Sequence, residues 1–196
     1  MGLRNRSLID KKGNIYFVTT TVMNWEMIFN FGDGYNNIII DSWKHLLDEH
    51  QSELIAYVIM PTHLHLISLM KIGESISDFM RDFKKFTSTK IRQILEVEGH
   101  ASIVEKLRIN ALGYKNQVFK LWMERFDDVI VISEKVLKTK VDYIHYNPVK
   151  AELVAKPEDW KYSSARNYIY EDHSIIGVNT SWDFKFEKEF ASGRKS

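Results

Sequence analysis

Residues 53 to 70 read Glu-Leu-Ile-Ala-Tyr-Val-Ile-Met-Pro-Thr-His-Leu-His-Leu-Ile-Ser-Leu-Met. Two apolar runs, Glu53 to Met60 and His63 to Met70, are separated only by Pro61 and Thr62. Such runs predict adjacent antiparallel strands joined by a tight turn. Successive side chains on a strand alternate faces, so His63 and His65 project together while Leu64 and Leu66 point to the opposite side.

The flanking sequence supplies the other elements. Upstream, residues 14 to 23 are dense in β-branched and aromatic types and predict a first strand, with Gly32-Asp33-Gly34 as punctuation after it. From Tyr35 to His50, Ile39, Trp43, Leu46 and Leu47 recur at the spacing of one helical face. Downstream, Ser75 and Asp78 form a capping box ahead of Ile76, Phe79, Met80, Phe83 and Phe86, which predicts a long helix to about Glu98. The stretch near 99 to 116 is polar and poorly patterned, and Val118 to Ile132 is again strand-like around a polar centre. Ser133 then caps a helix carrying Leu137, Val141 and Ile144, expected to end at Asn147-Pro148.

The order strand, helix, strand, strand, helix, strand, helix predicts an α+β protein. Its first six elements match the ferredoxin-like, split βαβ arrangement, an antiparallel sheet with helices on one face, to which a C-terminal tyrosine-bearing helix is added. No linker or repeat is visible, so a single domain is expected over 1 to 196, with its core at about 14 to 168 and a tail at about 169 to 196.

Composition narrows the chemistry. The 196 residues contain no cysteine, which excludes disulfide frameworks, cysteine zinc sites and thiol catalysis. The first residues, Met-Gly-Leu-Arg-Asn-Arg-Ser, lack the apolar segment of a secretory signal, and Arg6 breaks the myristoylation pattern. No apolar run approaches the ~20 residues of a membrane span, so a cytoplasmic protein without a membrane partner is expected. A net charge of +1 argues at first sight against nucleic acid, yet the basic residues are locally concentrated. Residues 77 to 92 hold five basic and two acidic side chains, with Arg81, Lys84, Lys85 and Arg92 off the apolar stripe; residues 1 to 14 carry Arg4, Arg6, Lys11 and Lys12 against Asp10. Either segment reads as a solvated charged face or as a phosphate contact.

Two imidazoles on one strand face can share a metal ion, although a His-x-His pair also arises on a solvated surface. On the last helix, Tyr143 and Asn147 are four residues apart and about 40° apart around the axis, and Lys140 lies three residues before Tyr143. This stripe is offset from the Leu137, Val141, Ile144 face and can border a cleft. For an arbitrary protein the simpler reading, an amphipathic edge tyrosine and an Asn-Pro helix stop, would prevail.

Met-Pro-Thr-His-Leu-His-Leu at 60 to 66 and Val-Asp-Tyr-Ile-His-Tyr-Asn-Pro-Val-Lys-Ala at 141 to 151 resemble the single-tyrosine HUH transposases, in which U is a bulky apolar residue. The nearest branch is the one associated with repetitive extragenic palindromes (REP). The likeness extends to Tyr16-Phe17-Val18-Thr19, to Leu121-Trp122-Met123-Glu124-Arg125-Phe126 and to Asp159-Trp160-Lys161-Tyr162-Ser163-Ser164, and covers about residues 14 to 168.

The resemblance implies that His63 and His65 bind a divalent metal with Asn147 as third ligand, that Tyr143 is the nucleophile, and that the substrate is single-stranded DNA, usually with a hairpin nearby. Imidazole and amide ligands are uncharged and leave the ion its full charge toward a phosphate, which suits Mg²⁺ or Mn²⁺. An ordinary phenol, with a pKa of about 10, is only about 0.1% ionised at neutral pH and needs activation. Lys140 is the candidate for that role; His145, at i+2 from Tyr143, is expected to serve packing or DNA contact. Candidate DNA contacts are Arg4, Arg6, Lys84, Lys85 and Arg125. Trp160 and Tyr162 either stack on bases or pack the C-terminal segment. The alternative function is a catalytically inactive ferredoxin-like nucleic-acid-binding module, and the sequence is compatible with a homodimer without excluding a monomer.

Overall fold

The computed structural model describes residues 14–114 and 117–182. In chain order the elements are β1 (Asn14–Thr21), α1 (Asp33–Glu49), β2 (Glu53–Met60), β3 (His63–Met70), α2 (Ile76–Val97), α3 (Ala101–Ile109), β4 (Asp127–Ile130), α4 (Glu134–Lys150) and α5 (Ala165–Tyr170). The strands form one sheet in the order β2-β3-β1-β4, with every neighbouring pair antiparallel. This is the split βαβ arrangement expected from the element order.

Strand alternation divides the interior into two cores. On one face Tyr16, Val18, Tyr57, Leu64 and Leu66 pack with Ile39 and Trp43 of α1 and Phe79, Met80 and Phe83 of α2. On the other, Ile15, Phe17, Val58 and Ile67 meet Leu137, Val141 and Ile144 of α4. Burying each such α4 side chain contributes about 1.5–3 kcal/mol. The tyrosine helix is thereby fixed to the histidine face of the sheet, while α1 and α2 cover the reverse. The Ser133 hydroxyl accepts the Val136 N–H at the start of α4, and the Ser75 hydroxyl accepts the Asp78 N–H at the start of α2.

Several boundaries differ from expectation. The poorly patterned stretch contains α3, a helix of 9 residues that buries only Val104 and Leu107, too short to register as a periodic signal. Phe86 is 43% exposed, because the buried line of α2 advances in steps of four from Phe83 through Thr87, Ile91 and Leu95. The strand predicted over 118 to 132 is confined to Asp127–Ile130. Before it, the indole N–H of Trp122 donates to Thr87 Oγ1 at 2.9 Å in the interior, and the backbone there makes only an isolated bridge with Val22.

Helix α4 also runs through Pro148 to Lys150. Proline lacks one N–H, so its local cost falls on the single Ile144 carbonyl, while the Asn147 and Pro148 carbonyls accept the N–H groups of Ala151 and Leu153. Trp160 and Tyr162 serve packing: the Trp160 indole donates to Ile59 O at 2.9 Å, and Tyr162 is buried beside β2. After Tyr170 the segment from Ile176 to Asn179 reaches β2, where the Asn179 N–H donates to Leu54 O and Ile176 and Val178 join the first core. No helix among the described residues is long and apolar enough to cross a membrane.

Leu137 is fully buried where α4 meets the sheet. Leu137→Ala is expected to lower unfolding free energy by about 2–5 kcal/mol, read as a drop in the urea midpoint with an unchanged denaturant slope.

Candidate active site

The β1–β3 register builds the floor of the site. Thr19 stands opposite His65 and Thr21 opposite His63. Thr19 Oγ1 lies 2.8 Å from His65 Nδ1, and Thr62 Oγ1 lies 3.0 Å from His63 Nδ1. The tautomer with its proton on Nδ1 satisfies both threonine contacts and leaves Nε2 as a bare lone pair on each ring. His65 Nε2 is buried and has no hydrogen-bond partner. Burial, with His63 and Lys140 alongside, pushes the His65 imidazolium down to about 3, and burial also lowers His63. Both rings are therefore neutral at physiological pH, the form that donates to a metal.

The ring spacing fits a shared ion. A ring nitrogen about 2.1 Å from a metal puts the imidazole centroid roughly 3.2 Å away, so two ligating rings at right to tetrahedral angles have centroids roughly 4.6–5.3 Å apart. The His63 and His65 centroids are 4.8 Å apart. Among the described residues no group of three or more His, Cys, Asp or Glu gathers for a metal. Asp127, which lies beyond Thr19 on the same row of the sheet, adds no such third ligand. Among the described residues a further protein ligand would be of another type, and the Asn147 amide on α4 is such a group.

Helix α4 closes the site from above. The Tyr143 ring lies 5.2 Å from the His65 ring and 5.9 Å from Phe17, both edge-on, while Phe17 stacks on His65 at 5.5 Å. Tyr143 is 40% exposed, so its ring is held on one side and open on the other. Lys140 Nζ sits 4.4 Å over the Phe17 ring and 5.9 Å from that of Tyr143. Lys150 Nζ is 5.6 Å from the Tyr143 ring. Asn147 is half-buried one turn beyond Tyr143.

Three residues beside the histidine pair and Tyr143, although they fall within the quoted motifs, have no individual role in the sequence reading. Thr19 and Phe17 lie on the histidine side by strand alternation once β1 is paired with β3. Lys150 is seven residues from Tyr143, two turns along the same stripe, and the expected helix stop at Asn147 hides it.

The remaining candidates lie elsewhere. His145 is buried at 2.8 Å from the Ser164 hydroxyl, with burial holding its imidazolium down near 4, so it packs α4 against β2 and the following chain. Lys84 and Lys85 lie on α2, on the reverse of the sheet from Tyr143; Lys84 donates to the Met123 carbonyl at 2.9 Å, and Lys85 is exposed. Arg125 is exposed in the segment entering β4. Arg4 and Arg6 lie outside the described residues.

Residues 26–107, which include the histidine pair, match the family model described as transposase IS200-like. Over that segment the chain is similar to the IS200-like transposases. A Haemophilus influenzae protein assigned to the REP-associated tyrosine transposases is 28% identical over 153 residues, spanning 78% of this chain and 80% of that one. The Escherichia coli REP-associated tyrosine transposase is 30% identical over 112 residues, spanning 57% of this chain and 53% of that one. A solved REP-associated tyrosine transposase bound to a REP hairpin shares the fold, with a TM-score of 0.59 and 24% identity over 89% of this chain and 90% of that one.

Ser164 Oγ also accepts the Tyr57 N–H at 2.9 Å, so one hydroxyl satisfies two buried groups on different elements. Ser164→Ala is expected to cost about 1–3 kcal/mol of stability, measured by chemical denaturation.

Proposed function

We propose that this protein cleaves and rejoins single-stranded DNA at hairpin-flanked sites through a covalent link between Tyr143 and a 5′-phosphate. The observation that carries the reading is the 5.2 Å approach of Tyr143 to His65, whose buried Nε2 has no protein partner. A phenol beside a ring nitrogen reserved for an external electrophile suits nucleophilic attack at phosphorus. The hairpin bound to the solved relative supports hairpin-forming DNA as the partner of this chain.

In this reading His63, His65 and Asn147 hold Mg²⁺ or Mn²⁺. When bound, such an ion polarises a phosphate oxygen as a Lewis acid. The Tyr143 oxygen attacks the scissile phosphorus, the bond to the 3′-oxygen breaks, and that oxygen leaves with a proton from solvent while the phenol proton passes to water. Reversal by a returning 3′-hydroxyl rejoins the strand without an external energy source. Phe17 fixes the plane of the tyrosine ring, and Lys140 and Lys150 bring positive charge to the phenolate oxygen and the phosphate as they approach. The histidine pair and Tyr143 lie together within one chain.

Incubation with a labelled single-stranded hairpin and Mn²⁺ should yield a protein–DNA adduct that survives denaturation and is absent for Tyr143→Phe. Cleavage persisting in that variant would identify a metal hydrolase, and binding without cleavage by the unmodified protein would identify a nucleic-acid-binding module. Lys140→Met should slow single-turnover cleavage while leaving strand affinity in place; an unchanged rate removes the lysine from the mechanism.

The threonine behind His65 gives a test of the metal assignment that needs no turnover. Thr19→Val should weaken Mn²⁺ binding by about 10–100-fold, titrated by the rise in thermal midpoint with added metal. His63→Ala with His65→Ala should abolish that rise.

A further inference from the structure

A second cationic feature lies on the reverse of the sheet, between α2 and the chain from Gln117 to Phe126. It is an open groove of about 610 Å³. Lys120 forms part of its wall with only 7% of its surface exposed, its backbone N–H bound to Leu107 O and its Nζ 3.2 Å from the centre of the Tyr114 ring. Lys84 also lines the groove, with its Nζ bonded to the Met123 carbonyl and 5.5 Å from the Phe126 ring. Burial, and after it the charge of Lys120, bring the Lys84 ammonium down to about 8.

Neither lysine forms an ion pair among the described residues. Two desolvated like charges without a counter-ion destabilise a fold, and an anion supplied from outside relieves that cost. The contrast with Arg81 is informative: it lines the same groove, yet Asp78 and Asp82 already neutralise it. Lys85 and Arg92 extend the positive wall along α2, with Glu124 as the opposing carboxylate. A groove of this extent exceeds one phosphate ion, and Tyr114, which carries the Lys120 ammonium over one face of its ring, is 40% exposed beside it.

Its position connects it to the histidine site. The Met123 N–H donates to Thr21 O at 2.9 Å, and Thr21 stands opposite His63. The same segment then enters β4, where Asp127 pairs with Thr19 beside His65. The groove wall and the edge of the site are thus successive parts of one strip of backbone.

We propose that this groove seats the sugar-phosphate backbone of a single DNA strand, with Lys84 and Lys120 clasping one phosphate, while an adjoining part of the strand passes around the β4 edge to Tyr143. The proposal rests on the DNA-cleavage reading for the strand's destination, and its test is separable from that reading. Binding of a fluorescent single strand is measured by anisotropy at several salt concentrations in a Tyr143→Phe background, where no turnover occurs. Lys84→Met and Lys120→Met should each weaken binding several-fold for unrelated sequences and reduce the log–log salt slope by roughly 0.7 for each phosphate no longer neutralised. Lys120→Arg should retain the slope, and Lys135→Met, an exposed position on α4, should leave affinity and slope unchanged.

Should Lys120→Met fail to fold, Lys84→Met, only half-buried, carries the same test. Affinity and slope equal to the parent in Lys84→Met overturn the groove assignment, as does a loss no greater than that of Lys135→Met. Inorganic phosphate at matched ionic strength should not displace the strand; displacement overturns the proposal and reassigns the groove to a small anion. An unmodified protein that forms the Tyr143 adduct while the groove variants bind normally refutes the groove alone. Lysine-dependent binding without any adduct refutes the cleavage reading alone.

Discussion

The pairing of β3 with β1 in one register is the constraint on which the rest of the molecule depends. Because the side-chain period of a strand is two, a one-residue slip of β3 would turn Leu64 and Leu66 toward α4 and bury His63 and His65 among the aromatic residues of α1 and α2. The observed register sets Thr19 against His65 and Phe17 against Ile67. The first pair orients an imidazole and the second packs the floor beneath α4. Fold specificity and site geometry are therefore one energetic fact: the apolar demand of two cores selects the register, and the register delivers both histidines to the same face.

Helix α4 has to satisfy two demands with one surface. Leu137, Val141 and Ile144 anchor it to the sheet, while Lys140, Tyr143 and Lys150 occupy a neighbouring stripe that must stay accessible. Pro148 inside the last turn sharpens this compromise. It removes one hydrogen bond, yet its ring is buried and its carbonyl still accepts from Leu153, so the turn persists long enough to bring Lys150 back above Tyr143. Local sequence predicts a helix stop at Asn147 because proline disfavours helical conformation in the residue before it. Tertiary packing overrides that preference.

What is legible in the sequence follows the same division between periodic and long-range information. The hairpin from Glu53 to Met70, the capped start of α2 and the stripe from Lys140 to Asn147 are local patterns with a fixed repeat, and each appears where the repeat puts it. Thr19 is invisible as a partner of His65 because the strands that join them are separated by a helix and another strand. Lys84 stands out in the sequence only as one of several basic residues off the α2 stripe, and Lys120 not at all, since no local rule states which ammonium groups will lose their water. Trp122 marks the same limit: its indole leaves the strand pattern to bond Thr87, 35 residues earlier, and thereby shortens β4.

That Trp122 anchor also explains how two sites on opposite faces of a sheet can belong to one surface path. The indole stacks with Phe29 at 5.9 Å and lies 5.7 Å from Phe83, while its N–H is fixed by Thr87, so the 121–123 backbone is tied to α2 on one side. On the other side the Met23 and Met123 N–H groups pair it with the end of β1. A rigid strip held from both directions carries the lysine groove on its α2 side and delivers the chain, four residues after Met123, to the row that contains Thr19 and His65. Near-neutral net charge is compatible with this design. The positive charge that matters is the small portion the fold desolvates and leaves without a carboxylate, and a whole-chain total of +1 does not reveal where that portion lies.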